Sequence, residues 1–424
     1  MKVLLLNYTD AGGGAAIAAC RLAEGLNKNG IQAVLGVCEK KTEKPFVIEI
    51  PKKKRSFAAK VIRKLSAPFR KIKNKIINSR FFKFTTTNRI FHSENSESII
   101  DVNWINQFEC DVVHLHWINN NMISIRDIAR IRKPIVWTMH DSWPCCGAEH
   151  HPNVLENDTR WRDGYTRANK PKTTHGIDIC RKVWLQKNKY LFSKKIIFTA
   201  PSHWEHDVLK QSKLFGQNDC FVIPNIIPKI EFYPKEKKSA RQLLNIPQDK
   251  IVLGFGIAND IDNPKNMKGT YYLKEALKQL NNSEKYYLVI FGPNGEKFAD
   301  SLNIESFCAG YVSNTAILSM LYSVCDVFVN PSLIENLPTT SLEAICCGIP
   351  VVSFNVGGSS DIVEHQVTGY LAEPYKADDL VTGIEYCIQN QDELSRNALL
   401  KANRDFDEET IIKRYTAVYQ SALR

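Results

Sequence analysis

The sequence predicts an α/β protein made of two tandem domains, each an open parallel sheet, and three observations carry that prediction. The chain has 424 residues, more than one hydrophobic core usually organises. Apolar residues make up 44% of it and aromatics 10%, enough for sizeable cores and outside the disordered range. Short apolar strands alternate with helical patterns twice over, in two series separated by the proline-spaced, charged segment 224–247.

The first series opens with the strand KVLLLNYT and the glycine turn DAGGG. The helix AAIAACRLAEGLNKNG follows, in which Ile17, Leu22 and Leu26 fall near helical spacing and Gly30 suits the helix end. The strand IQAVLGVC completes a β-α-β unit, which implies parallel pairing with right-handed crossovers. Further strands are expected at CDVVHLHW, KPIVWTMH, KIIFTAPS and CFVIPN. The second series runs KIVLGFGI, a helix around Tyr271 to Leu280, YYLVIFG, FCAGYV, a helix over Thr315 to Tyr322, CDVFVNP, a helix from Thr339, and IPVVSF. The expected division is a first domain over 1–225, a second over 226–404, and a C-terminal helix over 405–424 crossing back toward the first. Ligands bind at the carboxyl ends of strands in open α/β sheets, so two such domains imply a shared cleft.

Composition excludes several classes. No apolar run approaches the roughly 20 residues of a membrane-spanning helix, and no signal-peptide pattern is present, so a cytoplasmic protein is expected. The twelve cysteines are scattered through apolar contexts and read as reduced thiols. Cys145, Cys146, His150 and His151 lie close together but lack paired C-x-x-C spacing, so no metal is expected. The net charge is +11, yet residues 51–90 hold fourteen Lys or Arg and no Asp or Glu, which leaves the remainder slightly acidic. Val61, Leu65, Phe69, Ile72 and Ile76 interleave with those cations at helical spacing, and Pro68 divides the pattern into two short helices. Such a stretch fits an anionic membrane surface, with a plain solvated insertion as the alternative. Nucleic acid is not an expected partner, since no recognised binding motif accompanies the charge.

The chemistry concentrates in ENLPTTSLE, where Glu335 precedes a helix starting near Pro338 or Thr339 and Glu343 lies about one turn inside it. Free N–H groups at a helix start attract phosphate. Two carboxylates bracketing such a site fit a molecule with hydroxyl-rich groups on both sides of a diphosphate, which describes a nucleotide sugar. The alternative is that both acids merely complement the helix dipole. In the first domain Gly12 to Gly14 let backbone approach a phosphate closely, although many β-α turns need glycine anyway. His140 ends the strand KPIVWTMH, either facing the cleft or bonded to Asp141 as a structural histidine. His114, His116 and Trp117, with Trp143, Glu149, His150 and His151, cluster at strand ends and loops. Aromatic faces pack on sugar C–H surfaces, which makes these acceptor-site candidates, with a core role for either tryptophan as the alternative.

The segment PSLIENLPTTSLEAICCGIPVVSFNVGGSSDIVEHQVTGYLAEP resembles the C-terminal half of family 4 retaining glycosyltransferases. That family's pattern is E-x7-E followed by an alanine, a small-residue turn, PVV and a later GG…(I/L)V…G run. The N-terminal glycine turn, TMHDSWP, APSHW, VIPN, MKGT and AGYV extend the resemblance along the chain. HDSWP followed by a Cys/His-containing insertion looks closest to the colanic-acid-type branch of exopolysaccharide transferases.

The resemblance implies the GT-B fold, two facing Rossmann-like domains with a cleft between them. It implies a metal-independent enzyme that moves a sugar from a nucleotide-sugar co-substrate, with no other cofactor, to a lipid-linked or oligosaccharide acceptor in surface-polysaccharide assembly. A peripheral place on the inner face of the plasma membrane would suit such an acceptor. Glu335, Lys268 and His140 would be catalytic, with Lys268 neutralising the departing diphosphate in the absence of a D-x-D metal motif. Glu343 would bind the ribose hydroxyls, the amides of Thr339 and Thr340 the diphosphate, and backbone around Tyr311 and Val312 the base. Asn336, Leu337, Gly13 and Gly14 complete the expected donor contacts; His116, Trp117, Trp143 and His150 are the acceptor candidates. Two positions depart from the pattern. Pro338 stands where many relatives have glycine, and no arginine lies just upstream of Lys268, where Lys265 is the only cation. These departures favour the alternative of a non-catalytic carbohydrate-binding assembly protein; an epimerase or phosphorylase on the same fold is a separate alternative.

Overall fold

The structure, a computed structural model, describes residues 1–53, 92–152, 158–172, 174, 176–257 and 261–424. The basic stretch expected to meet a membrane lies outside the described residues from 54 to 91. The chain divides into two compact units. The first comprises Met1–Pro201, Glu205–Ile223 and Arg414–Arg424; the second comprises Ser202–Trp204 and Pro224–Lys413. The boundary near Pro224 lies where the charged, proline-spaced segment begins. The C-terminal change of unit falls inside the helix Glu408–Ala422 rather than at 405.

The first unit is built on a seven-stranded sheet, β1 (Lys2–Thr9), β2 (Gln32–Glu39), β3 (Val47–Glu49), β4 (Val112–Leu115), β5 (Ile135–Thr138), β6 (Ile196–Ala200) and β7 (Cys220–Val222). Its spatial order is β3-β2-β1-β4-β5-β6-β7, all neighbours parallel. Val3 to Leu6 are fully buried, as strands covered on both faces by crossover helices must be. The helix Gly14–Lys28 covers one face. Its buried side is set by Ala16, Ala19, Leu22, Ala23 and Leu26, so the apolar stripe is alanine-rich and Ile17 sits at its margin. β3 was not among the expected strands.

The second unit repeats the arrangement with β8 (Ile251–Gly256), β9 (Tyr286–Phe291), β10 (Ser306–Gly310), β11 (Val327–Asn330), β12 (Val351–Phe354) and β13 (Gly369–Ala372), in the parallel order β10-β9-β8-β11-β12-β13. Successive residues of one strand serve opposite faces. Val252, Val289, Phe328 and Val351 enter one apolar layer, while Leu253, Phe255, Leu288, Ile290, Val327, Val329 and Val352 enter the other. Burying side chains of this size contributes about 1.5–3 kcal/mol each, which is why the register of every central strand is fixed.

Both sheets reverse direction at one place. In the first unit the chain runs outward from β1 to β3 and returns to start β4 beside β1; in the second it runs from β8 to β10 and returns to β11 beside β8. Crevices beyond the carboxyl ends of strands at such switch points are where open α/β sheets take ligands.

Candidate active site

In the second unit the switch-point strands β8 and β11 lead into the loops carrying Lys268 and Glu335. Lys268 Nζ lies 2.6 Å from Glu335 Oε2, and Ser332 Oγ donates to the same oxygen at 3.4 Å. Both side chains are partly exposed, at 49% for Lys268 and 24% for Glu335. The Glu335 carboxylate beside it raises the Lys268 ammonium above its ordinary value, so the cation is secure at neutral pH.

Two glycines hold this loop in place. Gly269 is left-handed (φ 64°), and a Cβ there would stand 1.7 Å from the Pro331 carbonyl oxygen. Gly357 (φ 55°) is pressed equally hard, with a Cβ falling 1.8 Å from the Glu335 carbonyl oxygen. Only glycine fits such positions. The Gly358 amide then donates to the Glu335 carbonyl at 3.0 Å, and the Leu333 amide to the Met267 carbonyl at 2.7 Å. The loop after β11 is thereby clasped on two sides, and the pairing of Lys268 with Glu335 follows.

The helix Thr339–Cys346 begins just beyond. Pro338 occupies its N-cap with φ −66°, no side chain caps the first turn, and no acidic residue lies in that turn. The amides of Thr339 and Thr340 have no hydrogen-bond acceptor among the described residues, which leaves an uncapped, partly positive helix end. The reading of both acids as first-turn carboxylates is therefore corrected. Glu335 sits in the loop, and Glu343 sits past the first turn. Glu343 is only 4% exposed and accepts a hydrogen bond from the Tyr322 hydroxyl at 3.0 Å. Burial and the Glu343 charge push that hydroxyl's pKa well up, so Tyr322 remains a donor. Asn336 is buried and accepts from Ser202 Oγ at 2.8 Å, while Leu337 belongs to the apolar core. Lys265 is exposed, its amide bonded to Asn263 Oδ1 at 3.0 Å. Tyr311, following β10, is 73% exposed.

In the first unit β1, β4 and β5 present the remaining candidates at their carboxyl ends. Gly13 and Gly14 are exposed at the start of the helix Gly14–Lys28. Asn7, a polar residue inside the apolar strand β1, accepts from the Trp117 amide at 2.8 Å, and the Tyr8 amide donates to the Trp117 carbonyl at 2.9 Å. These bonds extend the β1–β4 pairing and fix Trp117. Asn7 was absent from the expected residues, though a lone polar residue in a buried strand was the signal that could have found it.

Behind them lies a buried polar array. His116 Nδ1 pairs with His140 Nε2 at 2.8 Å. His114 Nδ1 meets the Tyr419 hydroxyl at 2.8 Å and its Nε2 meets Thr138 Oγ1 at 2.7 Å, which in turn meets Thr199 Oγ1 at 2.6 Å. Desolvation pushes His114 down to about 3 and His140 to about 4, and His116 well below its ordinary value. All three are therefore neutral imidazoles at pH 7. His116 Nε2 is buried without a partner among the described residues. With Asn119 and Trp117 it lines a cavity of about 10 Å³, close to the room one water needs.

Four expectations change here. The partner of His140 is His116, not Asp141, whose carboxylate instead takes Trp117 Nε1 at 2.9 Å and His150 Nδ1 at 2.6 Å. That pairing lowers Asp141 to about 2, against the opposing cost of burial. His150 is 4% exposed, with Nε2 on Ser93 Oγ at 2.9 Å, so both ring nitrogens are engaged. Trp143 is 1% exposed. Its ring packs on Trp137 and under Lys187 Nζ, 3.7 Å from the centroid, so it has no face to offer a sugar. Glu149 is likewise buried, bonded by the Tyr165 hydroxyl. Of the acceptor candidates, Trp117 is partly exposed, and His116, 3% exposed, keeps Nε2 against the small cavity.

Comparison with known proteins supports the pattern. The family model described as Glycosyltransferase Family 4 matches residues 12–229, and that described as Glycosyl transferases group 1 matches residues 257–406. The putative teichuronic acid biosynthesis glycosyltransferase TuaC of Bacillus subtilis is 28% identical over 217 residues, covering 50% of this chain and 53% of its own. The N,N'-diacetylbacillosaminyl-diphospho-undecaprenol alpha-1,3-N-acetylgalactosaminyltransferase of Campylobacter jejuni is 25% identical over 247 residues, covering 57% and 64% respectively. The chain spans 36%, 50% and 53% of the first three curated relatives it matches. Among solved structures, Anabaena HepE in complex with UDP and glucose superposes with a TM-score of 0.66 at 18% identity, over 99% of this chain and 100% of that one. The fold is accordingly GT-B, with two parallel-sheet Rossmann-like domains. With one family model covering residues 12–229 of the 424 and a second covering 257–406, the chain belongs to glycosyltransferase family 4.

Proposed function

We propose that the protein transfers a sugar from a nucleotide-sugar donor to a lipid-linked saccharide, with retention of configuration and without a metal, in the colanic-acid-like branch of surface-polysaccharide assembly. The observation that carries this reading is the uncapped helix start at Thr339, lying after a switch-point strand with the Lys268–Glu335 pair in the adjoining loops. The Campylobacter relative, named for a diphospho-undecaprenol acceptor, supports a lipid-linked acceptor. TuaC, named for teichuronic acid biosynthesis, supports a surface-polysaccharide role, and HepE, solved with UDP-glucose, supports a UDP-sugar donor.

In this mechanism the donor diphosphate rests on the amides of Thr339 and Thr340. The bond from the sugar's anomeric carbon to the phosphate oxygen breaks, and Lys268 stabilises the charge that develops on the leaving diphosphate. The acceptor hydroxyl adds to the same face of the anomeric carbon and gives its proton to the departing phosphate oxygen. The products are the glycosylated acceptor and a nucleoside diphosphate. Glu335 holds donor-sugar hydroxyls, and Glu343 takes a ribose hydroxyl where it now takes Tyr322. Lys265 is the second cation, Gly13 and Gly14 approach the donor, and His140 orients the reacting hydroxyl. His116 Nε2 and Trp117 address the acceptor. Tyr311 and Val312 carry the backbone that meets the base, and no cofactor is required beyond the donor. Contact with the inner face of the plasma membrane is assigned to 51–90; no described helix is long and apolar enough to cross a bilayer.

A thermal-shift panel of UDP, GDP and ADP identifies the base; assay with the matching nucleotide sugars and a lipid-linked acceptor comes next. Lys268→Ala and Glu335→Gln are expected to lower kcat by about 10²–10³. An inverted product, or normal transfer by both variants, overturns the mechanism, and turnover of donor without acceptor indicates an epimerase.

A further inference from the structure

We propose that a concave surface of the first unit, lined by none of the donor or acceptor candidates, binds a phosphoryl or diphosphoryl group carried on an apolar body. The concavity has a volume of about 470 Å³ and is lined by Arg167, Lys170, Ile177, Asp178, Arg181, Lys182 and Leu185. That volume lies within the roughly 300–1,000 Å³ typical of small-molecule sites. Four of the seven side chains are cations and one is an acid.

The acid is already committed. Asp178 caps the helix Ile179–Leu191 by accepting from the Arg181 amide at 2.9 Å, and it pairs with Arg160 at 3.3 Å. Lys182 is paired with Glu94 at 3.0 Å, and Lys170 donates to the Gly176 carbonyl at 2.7 Å. Two guanidinium groups remain. Arg167 is exposed and has no partner among the described residues. Arg181 Nε is buried and likewise has no hydrogen-bond partner among them. A buried donor left unmade is costly, and a guanidinium fork matches phosphate oxygens two at a time. Ile177 and Leu185 stand beside these cations at 56% and 39% exposure. They give the concavity an apolar wall that a free inorganic anion would not use.

The test titrates the Lys268→Ala protein, in which the proposed donor site is weakened, with inorganic pyrophosphate and with geranyl diphosphate by calorimetry. Both are expected to bind, and Arg167→Glu, an exposed change that leaves folding intact, is expected to weaken both by about tenfold or more. Arg181→Gln should act in the same direction. Geranyl diphosphate is expected to bind more tightly than pyrophosphate, with that advantage lost in Ile177→Ser with Leu185→Ser; equal binding of both overturns the assignment of an apolar-bearing ligand. Absence of pyrophosphate binding, or affinity unchanged by Arg167→Glu, overturns the proposal. UDP binding by the Arg167→Glu protein with Lys268 intact is expected to be normal. Its loss in Lys268→Ala protein that still binds pyrophosphate leaves this site standing and speaks only to the donor reading.

Discussion

The two units place polar groups at the carboxyl ends of matching switch-point strands, and they do so by opposite means. In the second unit the groups are charged, partly exposed and paired with each other. A half-exposed lysine and a carboxylate stand in loops near a helix end whose first amides have no acceptor among the described residues. In the first unit they are neutral, buried and mostly bonded to one another, with His116 Nε2 left over. A site that must hold and release an anion needs fixed charge and open donors at its surface. A site that must position a hydroxyl without adding charge is better served by imidazoles that burial keeps unprotonated.

That contrast can be broken at several points. Gly357→Ala puts a Cβ against the Glu335 carbonyl, and unfolding of the second unit should lose about 3–5 kcal/mol, with nucleotide affinity falling alongside. A variant that melts and binds like the parent would show that the loop is not clasped. Acidification should instead strike the first unit. His140 titrates near 4 when folded against 6.5 in the unfolded chain, so the unfolded chain binds more protons and stability falls as pH drops from 6.5 through 4. Asp141, held at about 2, adds a further loss as pH falls below 3.8. The His140 contribution is roughly 3 kcal/mol. Tryptophan fluorescence reads it, since every tryptophan but Trp204 lies in the first unit. A urea midpoint equal at pH 7 and pH 4.5 would refute the neutral array.

Smaller changes sharpen the same division. Tyr419→Phe strips the partner from His114 Nδ1, and should cost about 1–3 kcal/mol in the first unit while leaving nucleotide affinity unchanged. Thr340→Asp sets a carboxylate on the bare helix start. It should stabilise the second unit by about 0.3–1 kcal/mol yet weaken nucleotide diphosphate binding, and an affinity equal to the parent's would place the diphosphate elsewhere.

The second unit's site was legible because its parts are close in sequence. Glu335, Pro338, Thr339 and Glu343 lie on one loop and the helix it enters, so spacing alone orders them, and Lys268 came from a motif. Their direct pairing was not legible, because the contact of Lys268 with Glu335 depends on Gly269 and Gly357, which act through backbone clearance. In the first unit the strands were readable from their apolar runs, but the fate of each ring was not. Trp143 and His150 carry the same residue types as a sugar-binding surface. Whether they face outward is decided by Lys187 and Asp141, a buried lysine and a buried acid whose partners no local pattern announces. β3 and β13 were not among the expected strands, although β7, as short as β3, was.

One bond has a bearing on how the polypeptide is made. His114 is satisfied by Tyr419, a residue translated 305 positions later, and Tyr415, beside it, approaches Thr138. At ribosomal speeds of about 5–20 residues per second, that interval lasts on the order of tens of seconds. Throughout it the nascent first sheet carries a histidine nitrogen awaiting its phenol. The unit that begins the chain is thus among the last parts to be finished, and its maturation is tied to completed synthesis of the other.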